Sequence, residues 1–178
     1  MKTLFISNAK RQTLLSYLLT NPSESLKVRQ IAKHLRLTPG FVSVFLKKMA
    51  AAGLMKGGMV ALSSPGVRAR KILINVESIV PLLPKLAKST GAKGIGLYGS
   101  LSRGEDMAQS DADIWIKADR YPDAVVLAKA TESMGKELGR SVSILVLTPE
   151  KLVQMRKTDP SMFFALAYSF HLWGERLD

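Results

Sequence analysis

The stretch GSLSRGEDMAQSDADIWI, from Gly99 to Ile116, decides the fold of the C-terminal half of this 178-residue chain. It follows the apolar run Ile95–Tyr98, which is typical of a buried strand. Asp111 and Asp113 are separated by one residue, and side chains with that spacing on a strand point to the same face. Both carboxylates can therefore reach one divalent cation, and Mg²⁺ prefers such oxygen ligands.

The Gly99-Ser100 pair ahead of the aspartates has the features of a phosphate-binding turn. Glycine lets a phosphate approach the backbone closely, and we expect the N–H groups of residues 99–101 to face its oxygens. Arg103 offers a permanent, forked cation for a further phosphate contact. The stretch therefore predicts a site for a divalent metal and a triphosphate.

Composition limits the classes of function that are open to the chain. The apolar fraction of 47% and charged fraction of 22% are typical of a globular protein, and the length allows one or two domains. There are no cysteines, which excludes disulfides, zinc–thiolate sites and thiol nucleophiles. No apolar run approaches the ~20 residues that span a bilayer, and the first 15 residues are too interrupted for a signal peptide. We therefore expect a cytoplasmic protein with no membrane partner.

The net charge of +12 is concentrated in one half of the chain. Residues 1–90 contain 15 Lys or Arg against only Glu24 and Glu77, whereas residues 91–178 contain 11 basic and 12 acidic residues. So basic a half attracts polyanions, of which nucleic acid is the leading candidate and an anionic lipid surface the weaker one. A merely solvated basic surface is the alternative.

The N-terminal half shows the pattern of three short helices and a hairpin. Apolar spacing, capping residues and glycines predict helices at 9–20, ending at Asn21-Pro22, at 27–35 and at 38–52, then two short strands around Gly57-Gly58 within 54–62. A basic helix follows over 64–75, and Pro81 and Pro84 require the helix at 77–88 to be kinked or restarted.

This order resembles the winged helix-turn-helix domain of small prokaryotic regulators. The residues that carry the resemblance are Ile31-Ala32, the turn Leu37-Thr38-Pro39, the inward-facing Val42, Leu46 and Met49, and Gly53-Leu54 before the wing. The resemblance implies that the third helix enters the major groove of double-stranded DNA, in a protein that often dimerises to read two half-sites.

The outward face of that third helix is mixed in character. Ser43, Lys47 and Lys48 suit contacts with phosphates and bases, whereas Phe41 and Val44 are apolar and one helical turn apart. The apolar pair could contact thymine methyls, or it could pack on another domain or subunit. We therefore predict a DNA-binding face at Phe41, Ser43, Lys47 and Lys48, with protein docking as the alternative.

The C-terminal half alternates between strands and helices. We predict strands from Lys93 to Tyr98 and at 112–117, 141–147 and 170–173, and helices at 122–138, 149–157 and 160–169. This order predicts an α/β or α+β domain with a small mixed sheet. The predicted organisation is thus a winged helix at 1–63, a helical connector at 64–90 and a second domain at 91–178.

Several side chains of this half are expected to be structural. Trp115 and Trp173 are predicted to lie in the core. Phe163, Phe164, Tyr168 and Phe170 are predicted to pack the tail helix, and Glu105 and Asp106 to be solvated loop charges.

The second half resembles a minimal nucleotidyltransferase domain of the DNA polymerase β superfamily. The resemblance rests on Leu97-Tyr98-Gly99-Ser100, on Ser102-Arg103-Gly104, on Ser110-Asp111-Ala112-Asp113-Ile114-Trp115 and on the closing Leu172-Trp173-Gly174-Glu175. It implies that Gly99, Ser100, Arg103 and Ser110 bind the nucleotide, with Ser110 bracing the turn. Asp111 and Asp113 are implied as catalytic residues that hold Mg²⁺ with a nucleoside triphosphate, expected to be ATP. The implied reaction is nucleotidyl transfer to a hydroxyl of a protein or small molecule.

One residue departs from the family pattern. Active members add a third carboxylate on a later strand, and the corresponding position here is Ser143. A serine cannot act as a carboxylate base at neutral pH. Two hypotheses therefore stay open: a nucleotidyltransferase with a DNA-binding domain, or a DNA-binding transcriptional regulator whose second half is a catalytically silent nucleotide sensor or partner platform.

Overall fold

The chain folds into two compact units, residues 1–71 and residues 72–178. A computed structural model describes residues 8–21 and 27–177 of them. The described residues do not include Pro22, which is predicted to stop the first helix. They also do not include residues 1–7, the beginning of the 15-residue segment that is too interrupted for a signal peptide. Within the described ranges, no helix is long and apolar enough to cross a membrane.

The first unit is a winged helix-turn-helix, as predicted. Its elements are α1 (Ala9–Thr20), α2 (Val28–His34), α3 (Pro39–Ala51), β1 (Met55–Lys56) and β2 (Met59–Val60). Thr38 caps α3 by accepting a hydrogen bond from the N–H of Phe41 at 3.3 Å, and Pro39 occupies the first turn. Gly57 and Gly58 have φ values of +59° and +78°, which permit the tight turn between the antiparallel strands of the wing.

Leucines of α1 and the inward face of α3 form the buried interior of the first unit. The buried apolar residues among the described part of this unit are Leu14, Leu15, Leu18, Leu19, Ile31, Ala32, Val42, Phe45, Leu46, Met49, Leu54, Val60 and Val67. The predicted inward positions Val42, Leu46 and Met49 are confirmed. The outer face of α3 therefore remains for contacts outside this unit.

Prolines divide the helical segment between residues 65 and 90. Helix α4 (Pro65–Ile79) is longer than predicted, a 3₁₀ turn covers Val80–Leu82, and α5 (Leu83–Thr90) restarts with Pro84 in its first turn. The predicted restart is confirmed, because a proline is tolerated where its missing N–H has no helical acceptor. Residues 72–90 of the predicted connector belong to the second unit.

The second unit has a four-stranded mixed sheet in the order β5-β4-β3-β6. Its elements after α5 are β3 (Gly94–Tyr98), α6 (Gly99–Arg103), β4 (Ala112–Lys117), α7 (Ala124–Leu138), β5 (Val142–Leu147), α8 (Pro149–Thr158), α9 (Pro160–Ala167) and β6 (Phe170–Gly174). Strand β3 pairs antiparallel with β4 and β6, and β4 pairs parallel with β5. The predicted mixed sheet is confirmed.

Both faces of this sheet are covered by helices. Alternate residues of β4 point to opposite faces, so the strand contributes to an apolar cluster on each side. Ile114 and Ile116 pack in one apolar cluster with residues of α5 and α7. Trp115 packs in another with Leu152 of α8 and Phe163 of α9. The central strands β3 and β4, whose connection carries the candidate site, are thus packed on both faces.

The prediction for the aromatic residues is only partly correct. Trp115 is buried, and its indole N–H donates to Ser169 Oγ at 2.8 Å. Trp173 is 39% exposed because it lies on the edge strand β6. Of the four tail aromatics only Phe163 is buried, while Phe164, Tyr168 and Phe170 are exposed. Helix α9 has two turns, and only one side of so short a helix faces the sheet.

Candidate nucleotide site and DNA-binding surface

The glycine turn and the second aspartate meet at one end of the sheet. Tyr98, the last residue of β3, pairs with Asp113 of β4, so the turn after β3 lies beside that carboxylate. Gly99 has a φ of +69°, and a Cβ added to it would lie 2.1 Å from Asp113 Oδ2. The position therefore requires glycine twice over, for its backbone conformation and for the close approach of the carboxylate.

The electrostatics of Asp113 reflect its neighbours. Burial raises the pKa of Asp113 above its ordinary value, and the negative charge of Asp111 raises this pKa further. The positive charge of Arg103 lowers the same pKa. Asp111 and Arg103 are thus close enough to Asp113 to affect its charge, and a bound cation would relieve the repulsion between the two carboxylates.

Ser143 lies beside Asp113 on the neighbouring parallel strand. The register of β4 and β5 pairs these two residues directly. Serine therefore occupies the strand position at which the resemblance implies a third carboxylate.

Tyr98 is a site residue for which sequence reasoning assigned no role. Burial first, and then the charge of Asp113, raise the pKa of Tyr98, whereas a hydrogen bond with Ser143 lowers it. The side chains of Tyr98, Asp113 and Ser143 form a row across three strands. The signal in the sequence was the place of Tyr98 directly before Gly99, which the antiparallel register brings opposite Asp113.

The remaining predicted nucleotide-binding residues lie on α6 and the loop after it. Arg103 is exposed, and its Nε donates to Glu105 Oε2 at 2.9 Å. Ser100 is half-buried on α6. Ser110 Oγ accepts a hydrogen bond from the N–H of Met107 at 2.8 Å, so its hydroxyl braces the turn ahead of Asp111.

Asp106 is buried, contrary to the prediction that it is a solvated loop charge. It is 0% exposed and accepts a hydrogen bond from Asn75 Nδ2 at 3.0 Å. Arg140 Nη1 lies 3.7 Å from its other oxygen. These partners are about thirty residues away in the sequence on either side, which is why local pattern did not reveal them.

The donor set fits Mg²⁺ rather than a metal enclosed by protein ligands. Within the described residues no group of three or more His, Asp or Glu side chains could hold a metal ion. Asp111 and Asp113 supply two carboxylates, and Mg²⁺ at nucleotide sites commonly takes one or two carboxylates together with phosphate oxygens. The close-packed Gly99 leaves no side chain between Asp113 and the turn.

The predicted DNA-binding face of α3 is accessible within the first unit. Lys47 and Lys48 are exposed and Val44 is 55% exposed, while Phe41 and Ser43 are half-buried. The exposed lysines are thus the side chains of this face with the greatest reach.

Residues 8–56 match the family described as bacterial regulatory protein, arsR family. This part of the chain is therefore similar to the helix-turn-helix of bacterial regulatory proteins. No curated protein matches the chain.

One solved structure is similar to the chain at low identity. It is described as the tri-AMPylated Shewanella oneidensis HEPN toxin in complex with MNT antitoxin. The identity is 20% and the TM-score 0.40, over 58% of this chain and 73% of that chain.

Proposed function

We propose that this chain is a DNA-binding transcriptional regulator whose second unit binds a magnesium nucleoside triphosphate. The observation that carries the proposal is the packing of Gly99 against Asp113, with Asp111 and Arg103 close enough to shift the pKa of Asp113. A glycine turn, an arginine and two carboxylates at one sheet end provide both signs of charge that a metal–triphosphate requires.

Each side chain has a task in this proposal. Arg103 would pair with a phosphate through its forked guanidinium, and Ser100 would donate its hydroxyl to a phosphate oxygen. Asp111 and Asp113 would hold Mg²⁺, which neutralises charge on the triphosphate when bound. Ser110 would keep Asp111 in place through its bond to Met107.

The sensor function is favoured over catalysis by Ser143. Ser143 lies where a carboxylate base would be needed beside Asp113, and its hydroxyl is close enough to Tyr98 to lower the pKa of that phenol. A neutral hydroxyl takes a proton from an attacking alcohol far less readily than a carboxylate does. The second unit would then report nucleotide level to a winged helix that we expect to bind DNA as a dimer.

Calorimetric titration with Mg-ATP tests nucleotide binding. We expect saturable binding to the wild type and its loss in the Asp111→Ala/Asp113→Ala double variant. Asp119→Ala is the matched control, because Asp119 is an exposed carboxylate just beyond the other end of β4, paired with Lys93 at 2.7 Å. Equal affinity of the wild type and the double variant would show the site to be wrongly placed.

Nucleotidyl transfer is a second candidate function, favoured by the presence of both carboxylates, Asp111 and Asp113, beside the turn at Gly99. In that reaction an acceptor hydroxyl oxygen forms a bond to the α phosphorus while the bond to the bridging oxygen breaks and pyrophosphate leaves. The hydroxyl proton would pass to water, because Asp113 is assigned to the metal and Ser143 is not a carboxylate. Transfer of label from α-labelled ATP to a component of a lysate, lost in the double variant, would establish the enzyme. Binding without transfer supports the sensor.

A further inference from the structure

The loop between α6 and β4, residues 104–111 and here called the site loop, is fastened to helix α4. Asn75 Nδ2 of α4 donates to Asp106 Oδ1 at 3.0 Å and to the carbonyl oxygen of Leu101 at 3.1 Å. Asn75 and Asp106 are both buried. A single carboxamide thus holds both α6 and the site loop.

Arg140 fastens the same loop from another direction. Its Nη1 lies 3.7 Å from Asp106 Oδ2 and donates to the carbonyl oxygen of Ser110 at 3.4 Å. A buried carboxylate is costly to separate from its donors, since any donor lost leaves charge in a medium of low dielectric. The site loop and α4 are therefore expected to move together.

Helix α4 belongs to both units of the chain. It extends from Pro65 to Ile79, and the division between the units falls after Lys71. Asn75 lies about one helical turn beyond that division. The side chain that fastens the site loop is therefore carried by the helix that continues from the winged-helix unit.

At the nucleotide site, the link to Asp106 begins at Arg103, the proposed phosphate contact. Arg103 is paired with Glu105 at 2.9 Å, and the Arg103 and Glu105 side chains are 59% and 37% exposed. A phosphate that engages the guanidinium competes with Glu105 for the same N–H donors. Glu105 directly precedes Asp106, so this exchange alters the charge next to the buried anchor.

We propose that Asn75 couples nucleotide binding in the second unit to DNA binding by the first, through Asp106 and helix α4. This rests on the proposed function. Asn75 is a positioning residue here, since it acts through the loop and not on the ligand. Coupling between two binding sites is reciprocal, and typical values change affinity by about 5-fold to 150-fold.

The wild type provides the first test. Mg-ATP binding is measured by calorimetry, and DNA binding by fluorescence anisotropy of a labelled mixed-sequence duplex, each with and without the other ligand at saturation. We expect each ligand to change the affinity for the other by the same factor, about fivefold or more. Failure of either ligand to bind contradicts the proposed function, whereas binding of both with no mutual effect overturns the coupling alone.

ATP could also lower DNA affinity by binding directly to the basic first unit in competition with DNA. The Asp111→Ala/Asp113→Ala variant, which lacks the proposed nucleotide site, controls for this competition. An effect of Mg-ATP on DNA affinity that persists undiminished in this variant is competition and overturns the coupling.

Asn75→Ala then tests the route. We expect this variant to bind each ligand alone, with the mutual effect reduced to less than about twofold. Ser78→Ala is the matched control, because Ser78 is exposed on the same helix and its hydroxyl donates to the backbone carbonyls of Ile74 and Asn75, not to the Asn75 carboxamide. Full coupling in Asn75→Ala would exclude this residue.

A second variant serves if Asn75→Ala does not fold. Asp106→Asn keeps an acceptor oxygen for Asn75 but removes the charge that faces Arg140. We expect weaker coupling with unchanged DNA affinity in the absence of nucleotide. Coupling equal to that of the wild type would overturn the route through Asp106.

Discussion

At the scale of single residues, Gly99 determines whether the candidate nucleotide site can form. We expect Gly99→Ala to lower Mg-ATP affinity at least about tenfold, or ~1.4 kcal/mol, because its Cβ would displace the Asp113 carboxylate. Gly139→Ala is the control, since Gly139 has a φ of +63° but no atom within 4 Å of an added Cβ. Both variants carry the same backbone cost of about 1 kcal/mol. Equal nucleotide affinity in the two, measured by calorimetry, would contradict the placement of Asp113.

Asp113 also predicts a dependence of stability on pH. Its raised pKa means that the folded state binds the proton more tightly than the unfolded state, so stability falls as pH rises from the ordinary aspartate value through the raised one. We therefore expect Asp113→Asn to raise the melting temperature at pH 7, with a smaller gain in acid below both pKa values. Thermal melts of both proteins across this range provide the measurement. A lower melting temperature of the variant at pH 7 would show that Asp113 stabilises the fold.

Local spacing was sufficient to predict some of the site residues and not others. The turn at Gly99 and its approach to Asp113 follow from backbone freedom and strand register within fifteen residues, whereas Asp111 lies just before β4. Tyr98 and Ser143 join the site through strand register. Asp106 is buried by partners on α4 and in the connection between α7 and β5, which no local pattern links to the loop.

At the scale of elements, α3 predicts how the first unit binds DNA. Lys47→Ala and Lys48→Ala should each weaken binding to duplexes of any sequence and reduce the slope of log affinity against log salt by about 1. Lys129→Ala provides the control, because Lys129 is an exposed lysine on α7 of the second unit. The measurement is anisotropy of a labelled duplex over a salt series. Slopes unchanged from the wild type in both α3 variants would favour protein docking by this helix.

Most helices and strands end within a few residues of their predicted limits because capping residues mark them. Thr38-Pro39 begins α3, Asp123 caps α7 through the N–H of Val125, and prolines separate α4 from α5. Helix α4 continues past its predicted end at residue 75 because Asn75 is buried against the site loop. The sequence shows that a polar residue stands at this helical position, but it does not show that Leu101 and Asp106 are its partners.

At the scale of the whole molecule, the distribution of charge distinguishes the two proposed binding activities. Residues 1–71 contain 13 basic residues and one acidic residue, whereas residues 72–178 contain 13 of each. We expect DNA affinity to fall more than about tenfold between roughly 50 and 200 mM salt, because counterions are released from DNA. Mg-ATP affinity should fall much less over the same range, because one arginine supplies the proposed phosphate contact. Parallel titrations compare the two, and an equal salt dependence would place the nucleotide on the basic first unit.

The two tryptophans allow the folding of the second unit to be followed separately by fluorescence. Trp115 is buried on β4 and Trp173 is 39% exposed on β6, and the first unit contains neither. Indole fluorescence in the intact chain therefore reports the second unit alone, with one emitter shielded from water and one in contact with it. Circular dichroism, in contrast, receives signal from the helices of both units. Unfolding followed by both methods would resolve the two units in time and in denaturant concentration without cutting the chain.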